Sequence, residues 1–397
     1  MVSHSSGQLS MKYSPLTVVI CLLLFAGSDA TAQESIAIRV AGGAVLVPVS
    51  IHDQNLTFLL DTGSVSSSID PSTAAELKLT AHGTKRIQKN FRELVADVTE
   101  VGPVRILNKD FARLELTEVN LAPISKALGT TVDGVLGLDV LQDIDFKLNY
   151  SKQTLVIGPL AKLETLGVRT TVQRTKGQFL VNTVLMSVPT ELVLDTGTNS
   201  TNLSSETWDL LTKNWTPGQV VEGIQRAGNP TSPAILVCLP SIHLGGVTLT
   251  NQAVRAQTKS DAGAFSAADF GGILGSDILR QFEITFDLEK NAIYLLPDIH
   301  YTVDPYRYTT LGIQIAKNLQ GAFEIMSVWK NSPAAKAGIQ AGDAIRAIDG
   351  QSIESQPLEQ VSSRLHAKEG TEVGLELERN SKSLQIKVGT QTLLCEH

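Results

Sequence analysis

Cysteine is scarce in this chain of 397 residues: Cys21, Cys238 and Cys395 are the whole complement. So few thiols exclude a small disulfide-scaffolded domain, and no Cys-X-X-Cys spacing exists to hold zinc or run dithiol exchange. Cys21 lies in an N-terminal apolar run. Of the other two, one is mid-chain and one is near the end, so the expectation is two unpaired thiols. The seven histidines are scattered and none sits in a His-Glu-X-X-His run, which removes the usual ligand set of a zinc peptidase. There is no Gly-X-Ser-X-Gly elbow for an activated serine and no phosphate-cradling glycine loop. Concentrated positive charge is missing too. The net charge is −7 and the sequence pI about 5.6, so nucleic acid is not an expected partner. The one basic cluster, around Lys85, Arg86, Lys89 and Arg92, reads as a solvated loop face.

What is present first is an N-terminal segment patterned for export. Lys12 supplies positive charge, Leu16 to Ala26 is apolar but too short to cross a bilayer, and Ala30-Thr31-Ala32 fits a small-residue cleavage site. Residues 1–32 are therefore expected to be a signal peptide cut after Ala32. The mature protein is expected to be periplasmic or secreted, with no stable membrane anchor. Asn199-Ser200-Thr201 is a glycosylation sequon next to a motif described below. A glycan there would obstruct that motif, which favours a compartment without N-glycosylation.

The strongest pattern is a duplication. Phe58-Leu59-Leu60-Asp61-Thr62-Gly63-Ser64 has a counterpart far downstream in Leu192-Val193-Leu194-Asp195-Thr196-Gly197-Thr198. Val135-Leu136-Gly137-Leu138-Asp139-Val140-Leu141 has one, at nearly the same offset, in Ile273-Leu274-Gly275-Ser276-Asp277-Ile278-Leu279. Short apolar runs of this kind read as buried strands, and the glycine punctuates each into a tight turn. A carboxylate at the end of a buried strand is costly to leave unpaired. Two of them in matching frames point to each other as partners. A period this long implies two homologous halves rather than a solenoid.

Local signals fill in the halves. Ser35 to Val49 reads as a hairpin turning at Gly42-Gly43, and Asn55 as the turn into the first Asp-bearing strand. Pro189-Thr190 reads as the turn into the second. Thr73 to Leu79 after Asp70-Pro71, and Ser204 to Leu211, read as short capped helices. Phe146 to Ile157 and Phe282 to Leu296 read as closing hairpins.

These four matched elements resemble the aspartic peptidases of the retropepsin and pepsin type, over roughly residues 36 to 298. The resemblance implies a mainly β fold with two all-β lobes, 36–158 and 168–298, about a pseudo-two-fold axis. It implies that Asp61 and Asp195 form a catalytic pair sharing one proton. Thr62 and Thr196 would bond across the axis, and Gly63 and Gly197 would leave room for backbone N–H groups beside the carboxylates. Ser64 and Thr198 match positions whose hydroxyl often bonds the carboxylate. Gly137 would be needed because a side chain there would strike the catalytic turn. Water would be the nucleophile and a protein or peptide the substrate, with no metal and no cofactor. Both carboxylates lie in one chain, so dimerisation is not required. Residues 82–104 match the place of the flap over the substrate but lack a glycine cluster. Residues 216–246 are longer and glycine-bearing, and read equally as a flap or a surface loop.

A third segment begins near residue 305. Leu311-Gly312-Ile313, then Ser332-Pro333 to Gly338, Gly342-Asp343 and Asp349-Gly350, resemble a PDZ domain of the bacterial type over 305–390. Ser332-Pro333 caps a short helix, Gly338 ends it and Asp349-Gly350 is a hairpin turn. Residues 357–367 read as a second helix. The resemblance implies that backbone N–H groups at Leu311, Gly312 and Ile313 hold the carboxylate of a partner's or substrate's C-terminal peptide, added as a strand beside residues 313–317. The competing reading is a catalytically inert adaptor, binding peptides through the PDZ groove and a pseudo-peptidase cleft.

Overall fold

The computed structural model describes residues 34–89, 92–107, 109–159, 167–226, 229–258, 270–302, 308–317 and 321–395. The expected signal segment lies outside them, as do the tips of both flap candidates. The fold is mainly β. Strand Gln54–Leu60 pairs antiparallel with Ala44–Ile51 (Val49 opposite Leu56) and parallel with Gly134–Leu136 (Val135 opposite Leu59). Strand Val188–Leu194 repeats this arrangement, antiparallel to Gln178–Leu185 (Val181 opposite Leu192) and parallel to Gly272–Leu274 (Ile273 opposite Val193). A strand flanked on both edges has no solvent-facing backbone. Its run is apolar because both faces are covered as well: Phe58 and Leu60 lie in one core cluster and Leu59 in another, and Leu192 and Leu194 are fully buried.

The turns into these strands fall earlier than the sequence signals implied. The first is at His52-Asp53, both with positive φ, and Asn55 is already in the strand. The second involves Met186, with φ of 58°, and Pro189-Thr190 lies within the strand. In both, the two-residue hairpin geometry demands left-handed backbone, which His52 and Asp53 adopt readily and Met186 does not advertise.

Each half also builds a long hairpin: Ala81–Lys89 with Arg92–Val101, and Val220–Arg226 with Asn229–Leu244. The last of these, 16 residues long, pairs with Val220–Arg226 at one end and returns to Gln178–Leu185 at the other. In the first half the same path is broken at Gly102-Pro103, after which Val104–Ile106 pairs with Ala44–Ile51. Pro240 occupies the matching place in the longer strand.

The halves share one sheet. Phe146–Asn149 pairs antiparallel with Phe282–Asp287, Phe146 opposite Phe286, with the two rings stacked 4.3 Å apart. Lys147 and Glu283 form a 3.2 Å ion pair across the join. Outer strands Thr154–Ile157 and Glu34–Ala37 continue the sheet on one side, Ala292–Pro297 and Val168–Thr175 on the other. One continuous apolar core runs through both halves.

A separate sheet follows, in the order Ile313–Lys317, Phe323–Val328, Ala344–Ile348, Glu372–Arg379 and Lys382–Gly389, with helices Pro333–Lys336 and Leu358–Ser363. It has its own core, with Leu311, Ile325, Ile348, Val361 and Leu377 fully buried. Arg379 forks onto the Asp343 carboxylate at 2.6 and 2.7 Å. Strand Gln391–Thr392 pairs with Thr309–Thr310, which brings the C-terminal end back to the entry of this sheet. Leu393 and Leu394 then pack with Val221 beside Leu236, Tyr308 and Trp329. There Cys395 is joined to Cys238 by a disulfide. The expectation of two free thiols is therefore corrected: strand pairing brings together residues 157 apart in sequence.

Candidate active site

Each Asp-Thr-Gly turn is fastened to the parallel strand beside it. The Asp61 N–H donates to the Leu136 carbonyl at 3.0 Å, and the Asp195 N–H to the Leu274 carbonyl at 3.1 Å. The next residues interlock. Thr62 Oγ1 donates to the Leu194 carbonyl at 2.8 Å and accepts the Thr196 N–H at 3.1 Å. Thr196 Oγ1 donates to the Leu60 carbonyl at 2.8 Å and accepts the Thr62 N–H at 3.1 Å. Both threonines are fully buried. Four bonds of mirrored length thus hold the two turns face to face, each half completing the other.

The glycines set how closely the carboxylates approach. Gly63 N–H donates to Asp61 Oδ1 and Gly197 N–H to Asp195 Oδ1, both at 2.8 Å. A Cβ on Gly63 would overlap the Asp195 carboxyl group, and one on Gly197 the Asp61 carboxyl group. With no side chain at either place, Asp61 and Asp195 come within hydrogen-bonding contact of each other. Burial, and then the Asp195 charge, push the Asp61 carboxyl well above its ordinary value of 3.8, against the pull of the Gly63 N–H. Such a pair retains one proton where isolated carboxylates have lost theirs. Close by, the buried Tyr150 hydroxyl has no partner among the described residues, and burial followed by the Asp195 charge drives its titration upward.

A second matched set supports the turns, and the sequence reading assigned it no role. Asp139 accepts from Ser67 N–H at 2.8 Å and Ser67 Oγ at 2.6 Å, and Ser67 Oγ in turn accepts the Gly137 N–H at 3.0 Å. Asp277 does the same with Thr201, at 2.9 and 2.8 Å, and Thr201 Oγ1 accepts the Gly275 N–H at 3.1 Å. Burial raises the Asp277 carboxyl from its usual range while the Thr201 bonds oppose the shift. The signal was available: Ser67 and Thr201 sit in the same frame as the Asp-Thr-Gly copies, Asp139 and Asp277 in that of the Leu-Gly copies. A Cβ on Gly137 would lie 2.6 Å from the Ser66 carbonyl carbon and 2.9 Å from the Ser64 oxygen, so the strand passes under the turn as the resemblance implied.

Ser64 and Thr198 act differently from that expectation. Ser64 Oγ donates to the Ser66 carbonyl at 2.9 Å, and Thr198 reaches Asp195 Oδ1 through its backbone N–H at 3.0 Å. The turns after Asp-Thr-Gly are tight enough that backbone groups meet the carboxylate first. Gln178, unnoticed in the sequence, reaches across the halves and donates to the Gly63 carbonyl at 3.0 Å. Ala44 holds the equivalent place in the first half, in the frame of the Asp-Thr-Gly copies.

In the C-terminal sheet, Leu311 is fully buried and Gly312 has φ of 83°. The Gly312 carbonyl accepts the Trp329 N–H at 2.9 Å, and a Cβ on Gly312 would overlap Ser332. Ile313 begins the strand that forms one edge of the sheet.

Two family matches agree with this geometry. Residues 47–140 match the aspartyl protease family and residues 324–379 the PDZ domain. Among curated proteins, a probable CtpA-like serine protease of Staphylococcus haemolyticus is 45% identical over 64 residues, 16% of this chain and 13% of that protein. The one from Staphylococcus saprophyticus is 42% identical over 81 residues, 20% of this chain and 16% of that protein. The matched stretch is thus a small part of those relatives' length.

Proposed function

We propose, from the premise that the chain carries an aspartyl protease domain and a C-terminal PDZ domain, that it is an exported endopeptidase of the aspartic type. In this reading residues 36–158 and 168–298 are the two lobes, 305–390 the PDZ domain, and Asp61 and Asp195 the catalytic pair. The observation that carries it is the interlock of Thr62 and Thr196, which brings two half-buried carboxyl groups together, where desolvation and the Asp195 charge raise the Asp61 carboxyl above its ordinary value. A structural turn gains nothing from so costly an arrangement.

The chemistry follows from one proton shared by the pair. Asp195, ionised, takes a proton from a water held between the carboxylates as its oxygen attacks the scissile carbonyl carbon. Asp61 gives its proton to the carbonyl oxygen, forming a neutral gem-diol. On collapse, Asp195 passes its proton to the leaving amine and a diol hydroxyl returns one to Asp61. The C–N bond breaks and the pair is restored. No covalent intermediate forms. Thr62 and Thr196 hold the geometry, while Gly63, Gly197, Ser64 and Thr198 shape the turns.

Export is supported by the residue pattern of 1–32 and by the Cys238–Cys395 disulfide, which persists in an oxidising compartment such as a periplasm. In the same reading, the backbone N–H groups at Leu311, Gly312 and Ile313 receive a peptide's C-terminal carboxylate. The test is cleavage of an unfolded protein by wild type, Asp61→Asn and Asp195→Asn. Either substitution abolishes cleavage and leaves the fold intact, and a statine-type inhibitor blocks the wild type. Cleavage that survives both substitutions refutes the reading.

A further inference from the structure

The two halves differ at one buried phenol. Tyr150 follows strand Phe146–Asn149, in the frame where the second half has Leu288. Alternation puts Phe146, Leu148 and Tyr150 on one face, and all three are buried. The strand pairs with Phe282–Asp287, Asn149 opposite Glu283, so Tyr150 is delivered into the second half. Leu288 is buried too, but it brings the first half no hydroxyl. Among the described residues the Tyr150 hydroxyl has no hydrogen-bond partner. A buried tyrosine ordinarily finds one, because an unpaired hydroxyl is costly to desolvate.

Three charged side chains bear on it. The Asp195 carboxylate acts most strongly, then Arg280, then Asp277. Lys147 and Glu283, the ion pair at the join, alternate onto the opposite face. Asp277 is already engaged by Thr201 and by the Ile278 N–H at 2.9 Å. Arg280 ends the helix Ser276–Leu279 that carries Asp277, and its Nε is buried without a partner among the described residues. The first half has Gln142 in that frame, so it lacks the cation as well as the phenol. A phenol is a dipole with one donor and an accepting oxygen. Near a guanidinium and a carboxylate it turns its oxygen toward the first and its hydrogen toward the second, at contact or through one buried water. That hydrogen favours negative charge on Asp195, and Leu288 can do nothing of the kind for Asp61.

We propose that Tyr150, oriented by Arg280, is a positioning residue that makes the carboxylate pair electrically unequal, settling the charge on Asp195 and the shared proton on Asp61. Tyr150 and Arg280 exchange no proton during turnover. They decide which carboxyl group starts as base and which as acid. The inference rests on the peptidase reading above, to which it adds the cause of the direction of proton transfer.

The test is the pH profile of kcat/KM on an unfolded protein, for the full chain as wild type, Tyr150→Phe, Arg280→Gln and Arg280→Lys. The acid limb reports ionisation of the base of the pair. Without a group that stabilises the Asp195 anion, a higher pH is needed to form it, so the limb moves up. Tyr150→Phe and Arg280→Gln are each expected to raise it by about half to one pH unit, while Arg280→Lys keeps the charge and the wild-type limb. The alkaline limb, set by loss of the Asp61 proton, moves less. Tyr150→Phe removes a hydroxyl that has no partner, so its urea midpoint is expected to equal or exceed that of wild type. A lower midpoint with the acid limb in place marks a purely structural hydroxyl and overturns the proposal. An acid limb unmoved at an unchanged midpoint overturns it as well, and cleavage by wild type then leaves the peptidase reading standing. A limb displaced as far by Arg280→Lys as by Arg280→Gln overturns the part given to Arg280. Wild type that cleaves nothing overturns both readings. Tyr150→Phe loses one atom, so the comparison holds even where the Arg280 variants do not fold.

Discussion

Thr196→Val is the substitution that most sharply tests the interlock. Valine keeps the shape and the β-branch but removes Oγ1. Two hydrogen bonds go with it: the one donated to the Leu60 carbonyl at 2.8 Å and the one accepted from the Thr62 N–H at 3.1 Å. Both partners are stranded, because Thr62 and Leu60 are fully buried and water does not reach them. A buried polar group left without a partner costs about 1–3 kcal/mol, so the loss is about 2–6 kcal/mol. That is a large share of the roughly 5–15 kcal/mol that holds a folded domain. Thr196→Ser retains the oxygen and should stay within about 1 kcal/mol of wild type, as expected for a lost methyl group. Urea titration followed by tryptophan fluorescence reads the midpoints, and cleavage of an unfolded protein reads the function. The valine variant should unfold at distinctly lower urea and lose most activity even where folded, since Asp61 and Asp195 are no longer held face to face. Equal midpoints for valine and serine variants would refute the argument that these four bonds fix the pair.

Three further outcomes follow from the same geometry. Because burial and the Asp195 charge raise the Asp61 carboxyl, the singly protonated pair persists to higher pH, and the alkaline limb of the kcat/KM profile should lie well above 3.8. An alkaline limb at the ordinary carboxylate value sinks that assignment. Gly137→Ala puts a methyl group 2.6 Å from the Ser66 carbonyl carbon and 2.8 Å from its oxygen. Thermal unfolding should show a loss of about 1–3 kcal/mol from overpacking, with cleavage reduced alongside. Breaking Cys238–Cys395 by Cys395→Ser opens a loop closed across 157 residues, worth up to about 5 kcal/mol on chain-entropy grounds. Chemical denaturation with and without reductant should show wild type falling to the level of the variant, and the variant indifferent.

Much of the site was legible because it is written twice. The Asp61 and Asp195 turns, the Leu-Gly strands beneath them and the helices capped by Asp70 and Ser204 all recur at nearly constant spacing, and spacing survives in one dimension. What escaped depended on contacts between distant segments. Gln178 looks like any polar residue opening a strand until its amide is seen on the Gly63 carbonyl. Asp139 and Asp277 lie in the first turns of short helices, where a carboxylate is ordinary until its bonds to Ser67 and Thr201 are seen. The disulfide was unreadable because only the pairing of Gln391–Thr392 with Thr309–Thr310 shows that the chain end returns. The turn at Met186 has another cause, left-handed backbone imposed by strand register on a residue without turn preference, whereas His52-Asp53 carries residue types that enter that region readily and was a legible signal passed over.

Joining the halves in one polypeptide frees each from being a copy of the other. A homodimer of either half would have to present every feature twice, once per copy, and would have two identical flanks to its cleft. Here Ala44 answers to Gln178 across the pseudo-axis, and Val65, exposed, answers to Asn199. Cys238 carries a covalent tie where Val101, likewise two residues before a proline, has none. A single appended module is thereby seated against both flanks through different surfaces, by Gly42 on one and Cys238 on the other. Such a chain has a front and a back: its two flanks are no longer interchangeable.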